Sequence, residues 1–247
     1  MEKGDSLLVS IDIGTYKTSV LVAEPVPEGL NVLGIGSAPS EGVRKGLVTN
    51  IENVVQSLQK AVKDAEIAAS CEIHNVFAAV TGGHMGGLSS QGVVRVKTGE
   101  VSADDVEEAV AVAQAIALPP ECEILHVFPQ VFLVDGQDRG DQPVGATGVR
   151  LETNVHAISV ASNALEALQK CCERAGLYLN GAHYAGLASA EAVLTPEEKE
   201  LGVVLLDIGA GTTSVAAFYR GVVYHTAVLP VGSENITNDL AAVLGIP

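Results

Sequence analysis

Two stretches of this chain share one template. Asp12-Ile13-Gly14-Thr15-Tyr16-Lys17-Thr18-Ser19-Val20 and Asp207-Ile208-Gly209-Ala210-Gly211-Thr212-Thr213-Ser214-Val215 both read Asp-Ile-Gly, three residues, Thr-Ser-Val. Each follows an apolar run, Leu7 to Ile11 in one case and Gly202 to Leu206 in the other. A buried strand that ends in Asp and turns through Gly and Thr has a chemistry of its own. Glycine permits positive φ and lets the backbone approach a ligand. Successive N–H groups in such a turn form a concavity for anions. Thr and Ser hydroxyls add donors. A carboxylate beside phosphates suits Mg²⁺, usually through its waters. One such turn is also readable as an ordinary hairpin, whereas two spaced copies favour phosphate binding. The echo runs on: Val32-Leu33-Gly34-Ile35-Gly36-Ser37 answers to Val228-Leu229-Pro230-Val231-Gly232-Ser233. The offsets are 207 − 12 = 195 for the aspartates and 232 − 36 = 196 for the glycines. The pattern implies a duplicated unit of strand, Gly turn, strand, second turn, strand.

Other elements must position these turns. Residues 6–13, 17–24 and 30–36 read as the three strands of the first copy. The loop Glu41 to Gly46 carries Arg44 and Lys45, which either touch a phosphate or, as preferred, are solvated. Asn50 is a plausible N-cap, and Ile51, Val54, Val55, Leu58, Ala61, Val62 and Ala65 recur at helical spacing over 51–69. Asn75 to Val80 is a buried strand. The Gly-rich run Thr81 to Gly87 that follows reads as an exit to another unit rather than a third phosphate loop, since no Lys or Asp accompanies it.

Residues 88–160 differ in character. They offer a polar-ended strand near 89–96 and a helix capped by Ser102, with Val106, Val110, Ala113 and Ala117 as its apolar face and Pro119-Pro120 as its stop. Strands follow at 124–134, where Pro129 implies an edge or bend, and at 155–160. This is a small α+β unit set inside a larger one. The larger unit resumes with a helix from Ser162 to Ala175, a strand near 177–182 and a small-residue helix, Gly186 to Leu194. The second copy of the template comes next, then a helix from Asn235 to Leu244.

The bulk properties narrow the function classes. The 247 residues are 47% hydrophobic with no Trp, so a sizeable Val/Ile/Leu/Ala core is available. Lys+Arg 14 against Asp+Glu 30 gives a net charge of −16, which argues against non-specific binding to nucleic acid or anionic lipid. The four cysteines have no metal or disulfide spacing and read as reduced thiols of a cytosolic protein. No signal peptide opens the chain and no apolar run is long enough to span a bilayer. The six histidines show no ligand spacing and receive no role.

The two phosphate hairpins joined by a small-residue helix resemble the actin superfamily. The runs Ile124 to Gln130, Pro143 to Gly145, Gly148 to Leu151, Val155-His156, Ala185 to Ala190 and Val193 to Val203 further resemble the FtsA family of bacterial cell-division proteins. The resemblance covers essentially the whole chain. It implies an α/β, actin-like (ribonuclease H-like) fold with an inserted α+β subdomain, 1C. Residues 1–83 plus 161–201 would be subdomain 1A, 84–160 subdomain 1C and 202–247 the start of an incomplete subdomain 2A. ATP and Mg²⁺ are the implied cofactors, with Asp12 and Asp207 facing the metal. The implied phosphate contacts are Gly14, Thr15, Tyr16 and Lys17, then Gly209, Ala210, Gly211, Thr212 and Thr213, and finally Gly232 and Ser233. The implied role is a cytoplasmic division adaptor at the inner face of the membrane. Such proteins self-associate into filaments, link FtsZ to the membrane and recruit later division proteins through 84–160.

Three departures from that family pattern carry expectations. Ala210 and Ser214 replace an expected Gly and Asp. Ala185-Gly186 replaces the Glu or Gln that hydrolysing relatives carry, which implies at most weak ATPase activity, no catalytic residue and nucleotide as a structural switch; a positioned base is typically worth ~10²–10⁴-fold. The adenosine motif, the FtsZ-binding region and a membrane helix are expected beyond Pro247. The alternatives are a PilM-like pilus or secretion adaptor and a small-molecule kinase of the same superfamily.

Overall fold

The structure is a computed structural model and describes residues 7–246. Ser6, the first residue of the expected opening strand, lies outside them. Strands β1 (Leu8–Ile13), β2 (Lys17–Val26) and β3 (Gly29–Pro39) form an antiparallel meander. A two-residue ladder, β4 (Val43–Arg44) with β5 (Leu47–Val48), leads into α1 (Ile51–Ala69). Asn50 caps α1 by accepting from the Asn53 amide at 3.2 Å. The chain returns as β6 (Asn75–Val80), parallel to β1. Alternating apolar residues bury one face of each strand. Ile11, Val20, Val22, Val76 and Ala78 meet Leu58, Ala61 and Ala65 of α1 in the main core. Each large aliphatic side chain so buried contributes about 1.5–3 kcal/mol.

The inserted unit follows. Strand β7 (Met85–Arg95), helix α2 (Ala103–Gln114), strands β8 (Cys122–Val134), β9 (Gln137–Asp138) and β10 (Arg150–Ala161) give a four-stranded sheet in the order β7-β10-β8-β9. Helix α2 ends at Gln114, short of Pro119-Pro120, and its buried stripe runs through Ala109 and Ala113, with Val106 and Val110 partly covered. Pro129 sits opposite Val155 at a register shift, and β9 reaches only Leu133 and Val134 on that side, so the missing N–H faces an open edge.

The main sheet is completed by α3 (Ser162–Arg174) and β11 (Tyr178–Tyr184), giving the order β11-β6-β1-β2-β3. Then come α4 (Ala185–Val193) and the short α5 (Pro196–Leu201), which sequence periodicity did not reveal. The second meander is β12 (Val203–Ile208), β13 (Thr213–Tyr219) and β14 (Val222–Leu229), followed by α6 (Ser233–Leu244).

The duplication holds at the turns and fails downstream. The first ladder closes at Ile13↔Thr18 and the second at Ile208↔Thr213, the same template positions. Gly36 pairs with Val20, however, while Val215, the counterpart of Val20, pairs with Ala227 and not with Gly232. The arms of the first meander are longer, so equal spacing along the chain does not survive in the ladders. Gly36 clears the backbone of α1 at Ala61, and Gly232 clears the Gly209 and Ala210 carbonyls. The two glycines share a spacing and not a position.

Candidate functional site: a cleft between two Asp-Ile-Gly turns

The turns are built alike. The Gly14 amide donates to the Lys17 carbonyl at 3.1 Å, and the Gly209 amide to the Thr212 carbonyl at 2.9 Å. Each closure leaves the turn tip, Thr15-Tyr16 or Ala210-Gly211, outside the ladder. None of Gly14, Gly209, Gly211 and Gly232 has positive φ, contrary to one reason given above for their presence. Close approach is the reason that stands. A Cβ on Gly211 would lie 2.8 Å from the Thr15 hydroxyl, so the two turns abut each other.

Between them lies a cavity of about 590 Å³. Of the residues singled out in the sequence, Asp12, Gly14, Thr15, Tyr16, Lys17, Asp207, Gly209, Ala210, Thr212 and Ser233 line it. Gly211, Thr213 and Gly232 stand behind the wall and shape it. The Thr213 hydroxyl donates to the Val231 carbonyl at 2.8 Å. The amides of Ser233 and Glu234 donate to the carbonyls of Gly209 and Ala210 at 2.9 and 3.0 Å, seating the start of α6 beneath the second turn.

Asp12 and Asp207 end the equivalent strands β1 and β12 and both face the cavity. The wall of protein around Asp12 raises its carboxyl pKa, Asp207's charge raises it further, and Lys17 opposes both. A carboxylate pair that feels its own repulsion, beside close-approach turns with free amides, fits a divalent cation with a phosphate chain. Bound there, Mg²⁺ with ATP would be held by Asp12 and Asp207, and the two turn tips would meet the phosphates.

Several lining residues escaped sequence reasoning. Thr81 lines the cavity and shares a 2.8 Å hydrogen bond with Ser214 across 133 positions, so the head of the Thr81–Gly87 run is cavity wall. Gly46 lines it too and donates its amide to the Thr15 hydroxyl at 3.3 Å, while Arg44 and Lys45 beside it are exposed, as the solvated reading of that loop expects. Ile208, Glu234 and Thr237 line it as well, beside Ala185 and Ser214, two of the family departures noted in the sequence. Tyr184 is fully buried, and its hydroxyl donates to the Ala227 carbonyl at 2.8 Å and accepts from the Val215 amide at 3.1 Å. Its backbone pairs with Val80 in the main sheet, so one residue ties the two halves together. No local pattern signals contacts this distant along the chain.

Comparison with known proteins agrees with this architecture. A family model described as the SHS2 domain inserted in FtsA matches residues 82–159, and one described as cell division protein FtsA matches 204–247. The FtsA of Pseudomonas aeruginosa is 44% identical over 242 residues, 98% of this chain and 58% of the relative. The FtsA of Neisseria meningitidis is 43% identical over 248 residues, 100% of this chain and 60% of the relative. The chain thus spans a little over half the length of the curated relatives it matches. Among solved structures, a PilM-PilN type IV pilus biogenesis complex superposes with a TM-score of 0.69 over 100% of this chain and 67% of that one, at 18% identity, a likeness of fold alone. The fold is α/β and actin-like with an inserted α+β unit, and the chain belongs to the FtsA family of cell-division proteins.

Proposed function

We propose that this chain provides the phosphate and cation cleft and the inserted recruitment unit of an FtsA-type division adaptor. The observation that carries the reading is the convergence of Asp12 and Asp207, from two copies of one template, on a single cavity. Asp12 and Asp207 hold Mg²⁺. The turn tips at Thr15 to Lys17 and Ala210 to Thr212, with Ser233, would hold the phosphates of ATP. Gly211 and Gly232 keep the turns close enough for this, and Thr213 fixes the loop behind them. Residues 1–83 with 161–201 form subdomain 1A, 84–160 subdomain 1C and 202–247 part of 2A.

Ala185 lines the cavity, and by the family resemblance it stands where hydrolysing relatives carry Glu or Gln. Turnover therefore falls about 10²–10⁴-fold below that of an enzyme with a positioned base, and nucleotide serves as a switch for assembly. Self-association into filaments and recruitment of later division proteins run through 84–160. FtsZ binding and attachment to the inner face of the membrane belong to the part of the relatives' length that this chain does not span. The described residues contain no helix long and apolar enough to cross a bilayer.

The test is replacement of the matching segment of the Pseudomonas aeruginosa FtsA by this chain in cells that depend on it. Septal rings and dividing cells are expected, with loss of division when Asp207→Ala is added. Division that is indifferent to Asp207→Ala would contradict a role for the cleft.

A further inference from the structure

Ser189 sits in the middle of α4, where a serine hydroxyl ordinarily returns to its own helix or faces water. Here it leaves the helix. Its Oγ donates to Oδ2 of Asp207 at 2.8 Å, and no second protein donor reaches that carboxylate among the described residues. The approach depends on the neighbours of Ser189. Ala190 is fully buried against Ala216 and Phe218, with Leu187 beside it, so α4 lies low on β12 and β13. Tyr184, at the start of the same helix, is bonded to Val215 and Ala227. Helix α4 is thus held to the second meander at two points along its length.

We propose that Ser189 is a positioning residue for the cation: it occupies Oδ2 of Asp207 and leaves Oδ1 to the cavity opposite Asp12. This rests on the phosphate-and-cation reading of the cleft. Outer partners of this kind orient a ligating carboxylate, and their loss typically costs 10–100-fold in metal affinity. A purely structural serine would weaken every ligand of the cleft alike, or none.

The experiment is calorimetric titration of the 247-residue chain with manganese pyrophosphate, and with pyrophosphate alone in chelator. This probe calls on the turns and carboxylates and on no adenosine contact. Ser189→Ala is expected to weaken manganese pyrophosphate about tenfold and leave pyrophosphate alone unchanged, while Ser189→Thr, which keeps the hydroxyl, restores wild-type affinity. Equal manganese affinity in wild type and Ser189→Ala would overturn the proposal while the cleft reading stands. A matching loss for pyrophosphate alone would also overturn it, by showing a structural role. Wild-type chain that ignores manganese pyrophosphate altogether would overturn both.

Discussion

Asp12 is the residue at which the proposed cation site and stability pull apart. Its folded pKa is raised by burial and by Asp207, so the fold favours the protonated carboxyl. The sign follows: its ionisation works against folding increasingly as pH rises through the folded pKa, and not at all below the unfolded value. Asp12→Asn mimics the protonated form. It should raise the melting temperature of the ligand-free chain at pH 7 and remove manganese affinity, a pairing that calorimetry with and without the metal checks. A lowered melting temperature would contradict it. At this scale the sequence was highly legible for Asp12, Asp207 and the turn residues, because Asp-Ile-Gly is a local pattern repeated at fixed spacing. It set the Thr81 run aside as a phosphate loop and was silent on the bonds of Tyr184 and Ser189; the partners of all three lie 18 to 133 positions away and are chosen by packing. Ser214 read as a departure from the family's second Asp, yet its hydroxyl has a defined use in the bond to Thr81.

Elements with long periodic patterns were legible almost to the residue. Helix α1 runs over 51–69 as its apolar spacing requires; the six-residue β6, over 75–80, was legible instead as a nearly unbroken apolar run. The short α5 was not, since six residues offer too little periodicity. Helix α2 stops before its apparent proline stop because Ala115 leaves the helical path. The joints between elements are where energy can be tested. Tyr184→Phe removes a hydroxyl that satisfies Val215 and Ala227 in a dry place. Leaving such groups unpaired costs about 1–3 kcal/mol, readable in urea unfolding and in faster exchange of the Val215 amide; unchanged exchange would refute the tie.

His156 joins the insert to β14 through a 2.8 Å bond to the Thr226 hydroxyl and has no exposed surface. Burial, aided by His225, lowers its pKa from 6.5 to about 4. Its contribution is therefore present above pH 6.5 and lost as pH falls toward 4, a swing of up to about 3 kcal/mol. Unfolding followed from pH 7 to 4 should show that slope, and His156→Gln should flatten it. An undiminished slope in the variant would place the acid sensitivity elsewhere.

The whole molecule is two meanders of one design, with the insert spliced at a point that leaves the main sheet intact. None of the insert's strands belongs to the order β11-β6-β1-β2-β3. Its ends meet: the Ala161 amide donates to the His84 carbonyl at 3.1 Å, and Met85 pairs with Val160. Excision of 85–160 with a short Gly-Ser bridge should give a folded core with cooperative melting that no longer self-associates in analytical ultracentrifugation. Continued assembly of the excised core would contradict a filament role for the insert. With a charge of −16, the proposed phosphate site would have to rely on turn amides, Lys17 and a divalent cation. Whether Asp12 and Asp207 form one cation-dependent site is read from the affinity of this chain for ATP with and without Mg²⁺, beside Asp207→Ala. Binding that needs Mg²⁺ and falls at least about tenfold in the variant is expected, with the circular dichroism spectrum unchanged. Affinity that is the same in the variant, or indifferent to Mg²⁺, would contradict such a site.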